Sequence, residues 1–235
     1  MEFYHPHFSG NKQSVRKYLS EFFMLFVAVT AGFFMENIRE NITERHKEKE
    51  YIISMVEDLT ADTAQLNKLY IRNSNSRKGI DSLVILLDRN KAANFDSITT
   101  LAYNHIGMFY PFYSDDATMK QLLHSGGLRL ITRQSVSKQI VSYYETIEKG
   151  QIQTDYLTKM LLDNFNNAVH LFPLRNNKNT RAFFKKNQSE KELYVFQNEL
   201  MAYSSTLNDY CEKMKALKDK STGLINELKK QYKLK

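Results

Sequence analysis

An uncharged run, Phe22 to Met35 (FFMLFVAVTAGFFM), stands near the N-terminus of an otherwise polar chain. Such a segment leaves water only by entering a protein core or a lipid bilayer. As a helix it spans about 21 Å, short of the roughly 30 Å of hydrocarbon in a bilayer. Its flanks lengthen it. From Tyr18 to Ile38 the only charges are Glu21 and Glu36, each near an end, and that stretch reaches about 31 Å. Arg16, Lys17 and Arg39 stand where long cationic side chains reach lipid headgroups. Phe22, Phe23, Leu25, Phe26, Val27, Phe33 and Phe34 are the expected anchor residues, with the lipid bilayer as their partner. Two other readings compete. Lys12, Arg16 and Lys17 ahead of the run and Val29-Thr30-Ala31 before Gly32 resemble a cleaved signal peptide. Glu21 and the Phe33-Phe34-Met35 left after such a cut argue against it. A buried core helix is the third reading.

Eight Gly and three Pro in 235 residues are too few for the many turns of a sandwich or barrel. The expected class is therefore all-α: an N-terminal transmembrane helix continuing into a long-helix antiparallel bundle with a short helical hairpin. The parts are an N-terminal segment (1–17), the transmembrane helix (18–38), a charged helical stalk (39–50) and a bundle domain (51–235). Cys211 is the only cysteine, so no intrachain disulfide and no cysteine metal site are expected. A net charge of +7 permits an acidic partner without requiring one.

Asn37 to Glu50 mixes both charges with no helix breaker, so anchor and domain read as one helical lever. From Tyr51 the apolar residues take a heptad-like period. Ile52, Leu59, Leu66, Ile80 and Leu87 form one row, and Met55, Leu69 and Leu83 the next. Asn73, Ser76 and Arg77 interrupt it, as a solvated stretch between two helical segments by default, otherwise as a kink, a polar core contact or a binding position. Residues 90–116 read as a connection, partly a short helix, with Tyr103, Phe109, Tyr110, Phe112 and Tyr113 around Pro111. Exposed, these aromatics form a candidate partner surface; packed down, they form a lid over the core, the commoner fate of aromatics in a connection.

Ser114, Asp115 and Asp116 offer N-caps for a short helix through His124, ended by Ser125-Gly126-Gly127. The next helix buries Val136, Ile140, Tyr143, Tyr144, Ile147, Tyr156, Leu157, Met160, Leu161 and Phe165, with Gly150 inside it costing about 1 kcal/mol. Pro173 closes it, and Arg175 to Lys186 is a basic, solvated connection holding Phe183 and Phe184. The last helix has the cleanest seam. Leu193, Leu200, Leu207, Met214 and Leu228 make one row, Phe196, Tyr203, Tyr210, Leu217 and Leu224 the other, and Ser221 is the one break. That seam can pair with a copy of the chain as a homo-oligomer or with an antiparallel helix of the same chain.

Lys17 to Leu59, with Glu21 opening the apolar helix, Asn37 after it, then Glu48-Lys49-Glu50-Tyr51 and Glu57-Asp58-Leu59, resembles an uncharacterised bacterial family of small, single-pass, membrane-anchored helical proteins, a domain of unknown function. Thr118, Leu122, Ser125-Gly126, Leu128, Leu130-Ile131, Ile140 and Tyr143-Tyr144 resemble that family's hairpin and paired-tyrosine helix. The family usually carries a Trp after its apolar helix, and this chain has none. The resemblance implies location and architecture and carries no activity.

No Gly-rich phosphate loop, G-x-S-x-G, H-E-x-x-H or C-x-x-C is present in the sequence. The one Glu-x-x-His is Glu2 to His5; His5 and His7 make at most a weak chelating pair at a terminus, and no cofactor or metal is expected. Met119 to Ile140 can be read as a helix-turn-helix with Arg129, Arg133 and Lys138 on phosphates. Leu128, Leu130 and Ile131 occupy the positions that should read bases, which argues against nucleic acid as a partner. Lys12, Arg16 and Lys17 before the span nearly balance Arg39, Arg45, Lys47 and Lys49 after it; proximity tips the N-terminus inside. The expectation is a non-catalytic interaction, scaffold or sensory module in the inner membrane, its helical domain outside the cytoplasm and an envelope protein as its unknown partner.

Overall fold

A computed structural model describes residues 12–89, 94–172 and 190–234, whose regular structure is all helical, with no strand among them. The elements are α1 (Lys12–Asp88), α2 (Phe95–His105), α3 (Ala117–His124), a 3-10 turn (Gly127–Leu130), α4 (Gln134–Leu171) and α5 (Glu190–Tyr232). Pro173, the Arg175–Lys186 connection with its two phenylalanines, and His5 and His7 lie outside the described residues. The chain divides into two compact units, Met1–Glu50 and Tyr51–Lys235, and α1 supplies residues to both without a break.

In the first unit the apolar stretch stands exposed along its whole length, Phe22 at 71%. Its hydroxyls turn back on the helix: Ser20 donates to the Lys17 carbonyl at 2.9 Å and Thr30 to the Phe26 carbonyl at 2.7 Å. A helix that satisfies its own polar groups in this way needs no water around it. Beyond the apolar stretch, Arg39 pairs with Glu36 and Thr43 bonds back to the Arg39 carbonyl at 2.9 Å. Most of this stalk is exposed, with Glu48, at 5% exposure, the departure from the expected solvated face.

In the second unit three long helices share one core. Bonded pairs give their directions. Along α1 and α5, Thr63 meets Ser221 (2.9 Å), Asn67 meets Lys218 (3.2 Å) and Asp88 meets Gln197 (2.6 Å), so one numbering rises as the other falls. Along α4 and α5, Thr146 meets Lys220 (2.8 Å), Gln153 meets Asp209 (2.9 Å) and Asn167 meets Glu199 (2.7 Å). Hence α5 runs antiparallel to both, and α1 and α4 run parallel to each other. Two parallel helices need a return crossing, which α2, the segment after it and α3 provide.

The heptads run unbroken through all three. In α1 the buried seam follows Ile52, Met55, Leu59, Asp62, Leu66, Leu69, Asn73, Ser76, Ile80, Leu83 and Leu87, spaced three and four residues apart, with Val56 and Gly79 buried beside it. The solvated interruption expected at Asn73 and Ser76 does not occur: both are buried, at 0% and 4% exposure, and the helix passes straight through. The polar-core-contact alternative holds for Asn73. In α4 the buried face follows Val136, Ile140 and Tyr143, then Thr154, Leu157, Asn164 and Ala168. Tyr156 (55%) and Phe165 (46%), expected in that core, are exposed, because the true seam continues through residues that are small or polar.

The crossing approaches α1 closely where His105, the last residue of α2, meets Gly79. A Cβ at Gly79 would come within 2.2 Å of the His105 ring, so the bare backbone of α1 is what lets the imidazole seat. Gly79→Ala gains about 1 kcal/mol of helix propensity but forces a ring out of a packed site, at about 1–3 kcal/mol. Denaturant unfolding followed by circular dichroism should show net loss of stability in Gly79→Ala and its recovery when His105→Ala is added. Strictly additive single and double variants would contradict this contact.

Candidate functional site

Three side chains of α1, Asp62 and Asn73 on the seam and Asp58 beside it, hold the segment that crosses back over the bundle. Asn73 grips one residue twice: its Nδ2 donates to the Tyr110 carbonyl at 2.8 Å and its Oδ1 accepts from the Tyr110 N–H at 3.0 Å. Lower down, Asp62 Oδ1 accepts the Asp115 N–H at 2.8 Å, while Oδ2 accepts the hydroxyls of Ser114 (2.5 Å) and Tyr143 (2.8 Å). One turn below, Asp58 Oδ2 accepts the Thr118 N–H at 3.2 Å. That last bond caps α3 from another helix. Asp116 occupies the N-cap position but makes no side-chain cap bond, so the cap expected from local sequence is replaced by a distant one. From α5, Tyr210 accepts the Phe112 N–H on its hydroxyl at 2.9 Å. Residues 108–116 lie in no helix, yet their backbone is bonded to side chains at several heights.

Burial dominates the electrostatics. Asp62 is 1% exposed, and loss of hydration raises its carboxyl above the ordinary range despite the three hydrogen bonds that pull the other way. Burial and the neighbouring Asp62 hold the Tyr143 phenol well above its usual value, so it stays a donor. Each α1 group here bonds the crossing segment, Asp62 also bonding Tyr143 of α4 and Asn73 also donating to the Met214 sulfur of α5. The arrangement is chemically suited to fixing a connection in place.

The expected partner surface divides. Phe112 is buried, and Phe109 packs edge-on against Tyr210 with ring centroids 5.2 Å apart. Tyr110 is half-buried beneath the Arg72 guanidinium, 4.9 Å from its ring. Only Tyr103 (77%) and Tyr113 (60%) face solvent. The five do not form one surface, because the backbone bonds at Tyr110 and Phe112 draw the middle of the segment onto the core. The α5 seam residues Leu193, Phe196, Leu200, Tyr203, Leu207, Tyr210 and Leu217 are all buried in the bundle core, the arrangement expected of an antiparallel partner within the chain. A copy of the chain would have to use another face. The break at Ser221 is filled: its hydroxyl donates to the Leu59 carbonyl at 3.1 Å and accepts from Thr63.

The segment read as helix-turn-helix takes another form. Leu128 and Leu130 lie in the 3-10 turn, Ile131 is buried, and α4 begins only at Gln134. Gly126, at φ 65°, makes the left-handed step into the turn that a side chain would resist. Arg133 is engaged by Gln231 and lies over the Tyr232 ring. Arg129, in the 3-10 turn, and Lys138, in the first turns of α4, remain exposed. Asn73 stands out in the sequence as an interruption of the apolar row, with a polar core contact among its readings, whereas Asp62 and the role of Asp58 do not; the signal that finds them is the heptad position of Asp62 and the closeness of Asp58, one turn away.

The Asp62 site carries a pH signature. Its carboxyl is raised in the folded chain, so the folded state holds that proton more tightly than the unfolded one. The associated stability is complete below the unfolded value of about 3.9 and is lost as pH rises through the raised folded value. Asp62→Asn, which can still accept the Asp115 N–H and donate to a hydroxyl, should flatten that part of the stability profile. Asp62→Ala strands three donors and should cost about 3 kcal/mol at acid pH, where the contribution of the parent's carboxyl is complete. Unfolding free energies measured from acid to neutral pH check both, and identical profiles for Asp62→Asn and the parent chain would contradict the assignment. Comparison with known proteins finds no match among family models, curated proteins or solved structures.

Proposed function

We propose that this chain is a non-catalytic, single-pass membrane-anchored helical module of the bacterial envelope, serving as an interaction, scaffold or sensory domain. One observation carries the reading: α1 contains an 18-residue window of mean hydropathy 1.7, long and apolar enough to cross a membrane, of which none is buried in the protein. A core helix of a water-soluble protein would be covered. Transferring the seven named anchor side chains from water to lipid is worth on the order of 10 kcal/mol. The self-bonded hydroxyls of Ser20 and Thr30 fit the same environment.

The inner membrane is the proposed site, with the bundle on its outer side, on the strength of the cations preceding the span. The resemblance to the uncharacterised membrane-anchored family implies the same setting, and of the residues that carry it Asp58 accepts the Thr118 N–H. An envelope protein is the proposed partner, and exposed Tyr103 and Tyr113 are the aromatic side chains available to it.

The full chain should stay with membranes through an alkaline wash. Replacing Phe26 and Val29 by Lys places two charges in the apolar run, at about 3 kcal/mol each near a bilayer centre, and should release it. Retention of that variant, or release of the parent chain, would contradict anchoring. Reporter fusions after Lys235 should be active outside the cytoplasm only; cytoplasmic activity would overturn the proposed side.

A further inference from the structure

The α4 seam contains one position with no side chain. Gly150 falls on the heptad row that includes Tyr143, Leu157 and Asn164, and a Cβ there would meet nothing within 4 Å. Each neighbouring seam position contributes a knob; here the hole stays open. A groove of about 400 Å³ lies at that point between α4 and α5, floored by Leu66, Phe112, Met214 and Leu217. Packed interiors seldom leave such space, and grooves of roughly 300–1,000 Å³ with apolar floors and a few polar groups are where small ligands bind.

The rim decides the chemistry. Lys149, Lys213 and Lys220 line the groove, and no carboxylate does so among the described residues. Lys149 and Lys213 are paired with Glu145 and Asp209, neither of which lines it. Lys220 is held differently: its ammonium donates to the Ser142 carbonyl (2.8 Å), the Ser142 hydroxyl (3.0 Å) and the Thr146 hydroxyl (2.8 Å). Those are neutral oxygens, so its positive charge is solvated without being cancelled and is available to an anion at the groove mouth. A solvated lysine face alone would mean little; the lysines here surround an apolar hole that a missing side chain creates.

From the open seam position and the basic rim together, we propose that this groove binds a long-chain carboxylate, a free fatty acid, with its alkyl chain on the floor beside Gly150 and its headgroup at Lys220. Gly150 keeps the groove open, and Lys220 selects the charged head. The site lies wholly within the bundle, so it stands independently of the proposed envelope partner.

The test is photolabelling of the full chain in lipid nanodiscs with a diazirine-bearing palmitic acid and the matching palmityl alcohol, followed by mapping of labelled peptides. The acid should label peptides around 146–154 and 210–220, saturably and in competition with unlabelled palmitate. Gly150→Leu fills the hole with a better helix former and should reduce that labelling at least about tenfold. Lys220→Gln keeps donors for Ser142 and should reduce acid labelling by about tenfold while leaving the alcohol unchanged. Labelling confined to residues 18–38, groove labelling that palmitate does not compete, or acid and alcohol labelling alike would overturn the proposal. Equal labelling of the parent chain and a Gly150→Leu variant with intact helicity would do the same.

Discussion

Asp62 accepts three hydrogen bonds in the interior of the bundle, a backbone N–H and a hydroxyl from the crossing segment and the Tyr143 hydroxyl from α4. The rest of the second unit depends on this kind of contact. Apolar heptads let three helices associate in several registers and directions, since leucines facing leucines discriminate poorly between them. A buried carboxylate or amide at a seam position discriminates strongly, because any register that leaves it unpaired strands a buried polar group. Asp62 fixes the level of α4 against α1 through Tyr143, Ser221 fixes α5 through Thr63 and the Leu59 carbonyl, and Asn73 fixes the crossing segment. Together they hold α4 parallel to α1, an arrangement that only a long return crossing permits.

The apolar half of this architecture was legible in the sequence. Every α1 residue assigned to the two rows from Ile52 to Leu87 is buried, as is every seam residue assigned to α5. The polar half was not, for a physical reason. Hydropathy treats a polar residue as a gap in the stripe, so Asn73 and Ser76 read as a solvated break and Asp62 did not register at all. In α4 the effect was larger: Gly150, Thr154 and Asn164 keep the heptad positions, and the apolar reading moved to Tyr156 and Phe165, which are exposed. Heptad spacing carried through the polar residues would have found the seam. The foreign cap of α3 by Asp58 had no local signal, since it joins residues sixty positions apart.

The helix that supplies one wall of the bundle also carries, in the first unit, an exposed apolar stretch. Within the seam, polar residues set the register and a glycine opens a hole. Polar seam residues thus account for the fold, the exposed apolar stretch supports the membrane reading, and Gly150 leaves a gap in the α4 seam beside Lys220.

Hydrogen exchange of four backbone amides tests the central claim most directly. The N–H groups of Tyr110, Phe112, Asp115 and Thr118 donate to Asn73, Tyr210, Asp62 and Asp58, and the first three lie in no helix or strand. If buried seam side chains hold the crossing segment, these amides exchange slowly, alongside those of the bundle core, and Asn73→Ala exposes Tyr110 first. Exchange at the rate of a free loop, with the helices still protected, would show that the bundle stands without them and would contradict the account.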